Sequence, residues 1–215
     1  PIALPLADIS LFDRHLLGVI ILLAFTTLTC LIGLRNGPTL GDHEALNALA
    51  ARDAIQNGRW LIPHPGDEPR IRKTPLGIWA IAATSKIVQS PGEEPVTELT
   101  ARLPSAIAAM ITVMAVYWLG AMLFGHRAGL VAGFIAASCT ATLYFARNAQ
   151  ADQLLTMFTT LSFGFFWRGA LHAAPSRLHM AAFFVCFALA MMAKAPLPLV
   201  TVGLSLAVYW FFTLP

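Results

Sequence analysis

Three groups of residues in this chain have side chains and spacings that could do chemistry. Asp42, His43 and Glu44 stand in a row just after an apolar stretch. A carboxylate held at a membrane face can act as general base toward a hydroxyl. Acids also belong at helix N-termini, where they cap free N–H groups and oppose the macrodipole, so the triplet by itself leaves both roles open. Arg70, Arg72 and Lys73 precede Thr74 and Pro75, where the chain returns to apolar sequence. Cations at a membrane surface commonly anchor lipid headgroups, at about 1 kcal/mol each. Clustered beside prolines, in a segment that also holds eight acids, they read instead as a site for a specific phosphate. Asp152 and Lys194 each interrupt otherwise apolar sequence. An ionised group at membrane depth is costly and by default marks function, with a partner close by; Arg147 is one candidate partner for Asp152. Snorkelling to the interface is the structural alternative, and it suits the long lysine better than the short aspartate.

Other chemistries lack their signatures. His43 and His64, with Glu44 or Asp67, match no recognised metal-ligand spacing. Neither a glycine-rich nucleotide loop nor a Gly-x-Ser-x-Gly elbow is present.

The elements that must position these groups follow from composition. Of 215 residues, 57% are hydrophobic and 12% charged, against about 45–50% and 25% in soluble domains, which predicts a membrane protein. The formal charge of +3 is too small to suggest nucleic-acid binding by bulk electrostatics. Eight of eleven acids and seven of fourteen bases fall within residues 35–101, so one hydrophilic segment interrupts an apolar chain. Runs at 16–34, 103–124, 128–146 and 197–214 approach the roughly 20 residues a span requires. Those at 154–167, 180–193 and 75–88 are shorter and compatible with interfacial helices. Residues 16–34 read as an uncleaved first helix, not a signal peptide, and the chain as the N-terminal part of a longer protein. Cys30, Cys139 and Cys186 all lie in apolar runs and are expected to be small buried hydrophobes.

Within the hydrophilic segment, a capping signal at Thr39 and a stop at Gly58 bracket a helix. Its Leu46, Leu49 and Ala50 repeat at helical spacing, predicting an amphipathic helix lying on the bilayer. Residues 59–75 hold Pro63, Pro65, Gly66, Pro69 and Pro75, too many breakers for regular structure. The distribution of Lys and Arg between short loops does not decide between six spans, with 75–88 on the surface, and seven.

The order of these features resembles a known family. Gly41-Asp42-His43-Glu44-Ala45, then Asn57-Gly58-Arg59-Trp60-Leu61-Ile62-Pro63, then Arg72-Lys73-Thr74-Pro75-Leu76-Gly77-Ile78-Trp79 are followed by Ala101-Arg102-Leu103-Pro104-Ser105-Ala106, Leu123-Phe124-Gly125, Ala146-Arg147 through Asp152-Gln153-Leu154-Leu155, and Ala193-Lys194-Ala195-Pro196. From residue 16 to about 200 the series resembles the polyprenyl-phosphate-sugar-dependent membrane glycosyltransferases that include aminoarabinose transferase and protein O-mannosyltransferase. His43 stands where that family usually has the Asp of an Asp-Glu pair, which keeps both Asp42 and Glu44 as candidate bases. The family's Glu-Lys-Pro-Pro is Arg72-Lys73-Thr74-Pro75 here; the lysine is kept and a carboxylate some members direct to a metal is not.

The resemblance implies an all-α, polytopic helical bundle of GT-C type, about six spans, with a long first extracytoplasmic loop (35–101) carrying two juxtamembrane helices between the first span (16–34) and the further spans (102–215). It implies transfer of a sugar from a polyprenyl-phosphate-linked donor to an acceptor hydroxyl or phosphate on the extracytoplasmic face of a bacterial inner membrane, the acceptor being lipid, glycan or protein. Asp42 or Glu44 would be the base, Asp152 a second acid, and Arg70, Arg72, Lys73 and Lys194 the donor phosphate clamp. A divalent metal stays open, with no certain cofactor. A polytopic transporter or lipid-binding scaffold is the rival reading, because intramembrane Asp152 and Lys194 also suit a substrate path.

Overall fold

The computed structural model describes residues 11–35, 38–66, 68–71, 73–88, 94–171 and 176–213. All regular structure among them is helical: α1 (Leu11–Leu31), α2 (Asp42–Asn57), α3 (Leu76–Val88), α4 (Glu98–Phe124), α5 (His126–Ser138), α6 (Thr140–Ala146), α7 (Asp152–Phe166), α8 (Arg177–Lys194) and α9 (Leu204–Thr213), with π-helical stretches at Trp167–Leu171 and Leu199–Gly203.

The organising element is α4. Its 27 residues rise about 40 Å, more than the roughly 30 Å of a bilayer's hydrocarbon core, and α1, α3, α5, α6 and α7 all pack on it. Pro104 lies inside this helix and has no N–H for the carbonyl of Thr100, four residues back. Thr84 of α3 fills the gap by donating to that carbonyl at 2.8 Å, while Ser85 donates to the Thr100 hydroxyl at 3.0 Å. The proline therefore creates the acceptor that seats α3. On the other flank, a Cβ at Gly129 of α5 would lie 2.6 Å from the Tyr117 carbonyl oxygen and 2.7 Å from the Ala121 nitrogen, and one at Gly133 would lie 2.6 Å from Leu22. Gly129 thus lets the backbones of α4 and α5 touch, and Gly133 makes room for Leu22 of α1.

The expected helix in the hydrophilic segment forms, with Gly58 closing it in the left-handed conformation (φ 70°), but two details differ. Its N-cap is Gly41, not Thr39. Its buried face is Ala48, Ala50, Ala51 and Ala54, with Leu46 39% and Leu49 46% exposed. Alanine, having almost no side chain, allows α2 to sit close against Ile78, Ile81 and Ala82 of α3 and against Ala101 and Ala149; leucines would hold it off.

Two helices, α4 and α8, are long and apolar enough to cross a membrane alone, and α5 with α6 would qualify as one span bent by 59°. Residues 15–31, 76–88 and 199–213 form shorter apolar helices. The unbroken run at 128–146 is thus broken in space, and the run at 197–214 is divided between a π-helical stretch and α9. Hydropathy counts residues and does not register a backbone break. Cys139 occupies that break in extended conformation and is exposed, unlike buried Cys30 and Cys186; its expected burial is corrected accordingly.

Candidate active site

The site is built at the end of α4 where that helix begins. Glu44, in the first turn of α2, is 5% exposed. Its carboxylate accepts from Arg102 Nε at 3.0 Å and Nη2 at 3.1 Å, from the Ala149 N–H at 2.8 Å and from the Gly41 N–H at 3.1 Å. Burial pushes this carboxyl up, but the Arg102 guanidinium and the two backbone donors outweigh burial and hold it below the usual range. Arg102 Nη2 also donates to the Pro38 carbonyl at 2.9 Å. Glu44 and Arg102 therefore join α2, α4 and the turn before α7 through a fully bonded pair.

That turn, residues 147–151, is gripped from both sides. Asn47 Nδ2 donates to the Ala149 carbonyl at 2.7 Å, and Ser105 donates to the Gln150 carbonyl at 3.1 Å. Asn47 Oδ1 then accepts from Arg70 Nη2 at 2.7 Å. Arg70 Nε is buried and has no hydrogen-bond partner among the described residues, and burial pushes its guanidinium pKa down. Such an orphaned, positively charged donor asks for an anion.

The proline-rich segment that delivers Arg70 and Lys73 is held by side chains, as its breakers require. Asp53, 7% exposed, accepts from the His64 N–H and from Asn57 Nδ2, both at 2.7 Å, with Arg59 at 3.6 Å. Burial raises this carboxyl, and the Asn57 and His64 donors with the Arg59 charge bring it below the usual range. Trp79 Nε1 donates to the Trp60 carbonyl at 2.7 Å, and the Lys86 ammonium lies 4.9 Å from the Trp60 ring centre. Thr74 donates to the Ala193 carbonyl at 2.6 Å, which brings the segment against the end of α8.

These attachments enclose a cavity of about 400 Å³. Arg70, Lys73, Lys194 and Asp152 line it, as do His43 and Asn47 of α2, and Gly77 and Ser105 form part of the wall between them. Lys194 Nζ meets Asp152 Oδ1 at 2.7 Å. Arg147, a candidate partner by sequence proximity, instead donates to the Thr29 carbonyl at 2.8 Å and lines a different cavity of about 470 Å³, together with Glu44 and Arg102. The structure thus brings Arg70, Lys73, Asp152 and Lys194 together. Glu44 lies behind the wall, and Asp42 is exposed and outside the lining. Arg72 and Asp67 fall outside the described residues. Among the described residues, no three His, Cys, Asp or Glu side chains gather into a metal-binding set.

Sequence reasoning missed Arg102 as Glu44's partner and Asn47 as Arg70's. A buried arginine at the head of an apolar run was the available signal for the first; nothing local signalled the second.

An all-helical fold that collects cations and an acid round one cavity, at the end of an apolar helix longer than a bilayer is thick, defines an integral membrane protein with a polar site at its surface. A sequence model of the family described as dolichyl-phosphate-mannose-protein mannosyltransferase matches residues 68–214, and the chain belongs to that family of polyprenyl-phosphate-sugar glycosyltransferases. It is 26% identical over 147 residues to undecaprenyl phosphate-alpha-4-amino-4-deoxy-L-arabinose arabinosyl transferase 2 of Proteus mirabilis (strain HI4320), a match covering 68% of this chain and 26% of that protein. The fold is similar to the crystal structure of ArnT from Cupriavidus metallidurans in the apo state, with TM-score 0.82 and 20% identity over 93% of this chain and 37% of that one. Against the same protein bound to undecaprenyl phosphate the values are 0.77 and 19%, over 95% and 36%. The chain spans about a quarter of the length of the curated relative it matches.

Proposed function

We propose that this chain forms the donor-binding part of an integral membrane glycosyltransferase that moves a sugar from a polyprenyl-phosphate-linked donor to an acceptor hydroxyl or phosphate on the extracytoplasmic face. The observation that carries the reading is Arg70, whose buried Nε has no partner among the described residues, on the cavity wall that Lys73 also lines. A lipid phosphate is an anion delivered at headgroup depth. The relative solved with undecaprenyl phosphate supports that class of donor.

The chemistry suits the residues. Attack of the acceptor oxygen on the anomeric carbon expels the lipid phosphate in one displacement, which inverts that carbon. The leaving phosphate is a weak base, so it needs cations and no general acid. Arg70 and Lys73, with Arg72 from the sequence, supply them. Lys194 adds a fourth charge whose position is set by Asp152 at 2.7 Å, and Asp152 is the second acid that orients the acceptor. When the acceptor is a hydroxyl, its proton goes to a base at the start of α2, where Asp42, His43 and Glu44 stand.

In this reading the chain crosses six times, as α1, α4, the bent α5–α6 pair, α7, α8 and residues 199–213, with α2 and α3 on the outer surface. Two clusters at opposite ends of α4 support this. At its start lie the Glu44–Arg102 pair and the cavity. At its end the Tyr117 hydroxyl is 3.0 Å from His126 Nδ1, and the His126 ring lies 4.9 Å from that of His15 at the start of α1. About 23 residues of helix separate Arg102 from Gly125, roughly 35 Å.

The test is transfer of radiolabel from an undecaprenyl-phosphate-linked sugar to acceptors in native membrane extract, using full-length protein in proteoliposomes. Label in a new product supports the reading. Flux of a solute or lipid without any transferred label would instead support a transporter or scaffold.

A further inference from the structure

We propose that His43 is the general base of this site and that the acceptor it serves is a hydroxyl. The inference rests on the glycosyl-transfer reading above and deepens it.

Three side chains at the start of α2 could take a proton, and the fold sends them to three different places. Glu44 points inward and spends both oxygens on Arg102, the Ala149 N–H and the Gly41 N–H. A carboxylate so completely bonded, and held below its usual pKa, has no lone pair to offer a substrate. Asp42 and His43 are both exposed, but Asp42 does not line the cavity. His43 does line it, and its ring makes no hydrogen bond or ion pair among the described residues. The other acid on the cavity wall, Asp152, is bonded to Lys194. Among the described residues, His43 is thus the uncommitted proton acceptor on the wall that also carries Arg70 and Lys73.

The step balances. The acceptor oxygen forms a bond to the anomeric carbon while the bond from that carbon to the phosphate oxygen breaks. The electron pair of the broken bond stays on the lipid phosphate, which becomes a dianion beside Arg70 and Lys73. The hydroxyl proton moves to a ring nitrogen of neutral His43 and is later lost to water. A phosphate acceptor is already an anionic nucleophile and would have no use for this base.

The charged groups that line the cavity with His43 are Arg70 and Lys73 from the proline-rich segment, Asp152 from α7 and Lys194 from α8, while Asp42 and Glu44 flank it on its own helix. Asp152 and Lys194 offset one another, as Glu44 is offset by Arg102. A histidine base gives kcat an acid limb, which glutamine in its place removes. A carboxylate base places that limb at lower pH than an imidazole does.

The experiment compares wild-type, His43→Gln, His43→Asp and Asp42→Asn full-length proteins in proteoliposomes. The probes are undecaprenyl phosphate 4-amino-4-deoxy-L-arabinose and undecaprenyl phosphate mannose, with native membrane extract as acceptor, and kcat is followed from pH 4.5 to 8.5. Binding of undecaprenyl phosphate is measured on each variant and reports folding. The expected result is a kcat about 10²–10⁴-fold lower in His43→Gln, with the acid limb abolished and lipid phosphate affinity retained. His43→Asp should recover part of the rate and carry its acid limb downward. A wild type that transfers sugar together with a fully active His43→Gln overturns His43 alone and points to a phosphate acceptor. Loss of rate in Asp42→Asn with retention in His43→Gln overturns it in favour of the carboxylate. A wild type that transfers neither sugar overturns both this inference and the reading beneath it.

Discussion

Glu44→Gln removes one charge from the joint that fixes the cavity wall. The wild-type carboxylate takes two contacts from Arg102, at 3.0 and 3.1 Å, and one each from the Ala149 and Gly41 N–H groups. Glu44 and Arg102 side chains are 7% and 4% exposed, so water cannot replace the lost partner. Breaking a buried pair from one side costs about 3–5 kcal/mol, chiefly because the other charge is left uncompensated. Arg102→Met should cost a similar amount. The double variant should cost clearly less than the sum, since either single change already removes the attraction between the two charges. The assay is thermal unfolding of full-length protein in detergent, arranged as a double-mutant cycle at pH 7.5. Strict additivity, or a Glu44→Gln protein as stable as wild type, would refute the joint. The pair also carries a pH signature. Glu44's folded pKa lies below its unfolded value, so its stabilisation is complete above about 4.3 and is lost as pH falls through the folded value. The Glu44→Gln protein should lack that part of the acid-side loss.

Lys73→Ala should weaken binding of undecaprenyl phosphate roughly 10- to 150-fold, the equivalent of one charge-assisted contact of about 1.5–3 kcal/mol; titration showing unaltered affinity would reduce Lys73 to a headgroup anchor. Cysteines introduced singly at His64 and His126 in a cysteine-free background should label differently with an impermeant thiol reagent added outside, His64 reacting and His126 protected. Equal external labelling would sink the six-crossing arrangement. Gly129→Val should separate α4 from α5, because even a Cβ there meets backbone at 2.6 Å; a loss of about 1–3 kcal/mol or more should appear as a lower unfolding temperature, and a neutral result would mean that the helices do not touch at this point.

The properties that were readable from the sequence are those set locally. The share of apolar residues dictates the membrane class, because a soluble fold could not cover so much of it with polar surface. Gly58 stops α2 because the left-handed closing conformation needs a glycine there. Five breakers across residues 59–75 prevent regular structure. The order of short motifs, each tied to its own turn or helix end, was enough to indicate the family. Distances through space were not available. Asp152 takes Lys194, 42 residues on, in place of nearby Arg147, because α7 and α8 pack side by side and put the start of one at the end of the other. Glu44 is bonded on both oxygens because Arg102, 58 residues away, is carried under it by α4. His43 reaches the cavity because Ala48, Ala50 and Ala51 seat α2 against α3, which fixes the rotation of the helix and therefore which of three consecutive side chains faces the cavity. Spacing along one helix says which residues share a face; only the partner packed against that helix decides which face meets the chemistry.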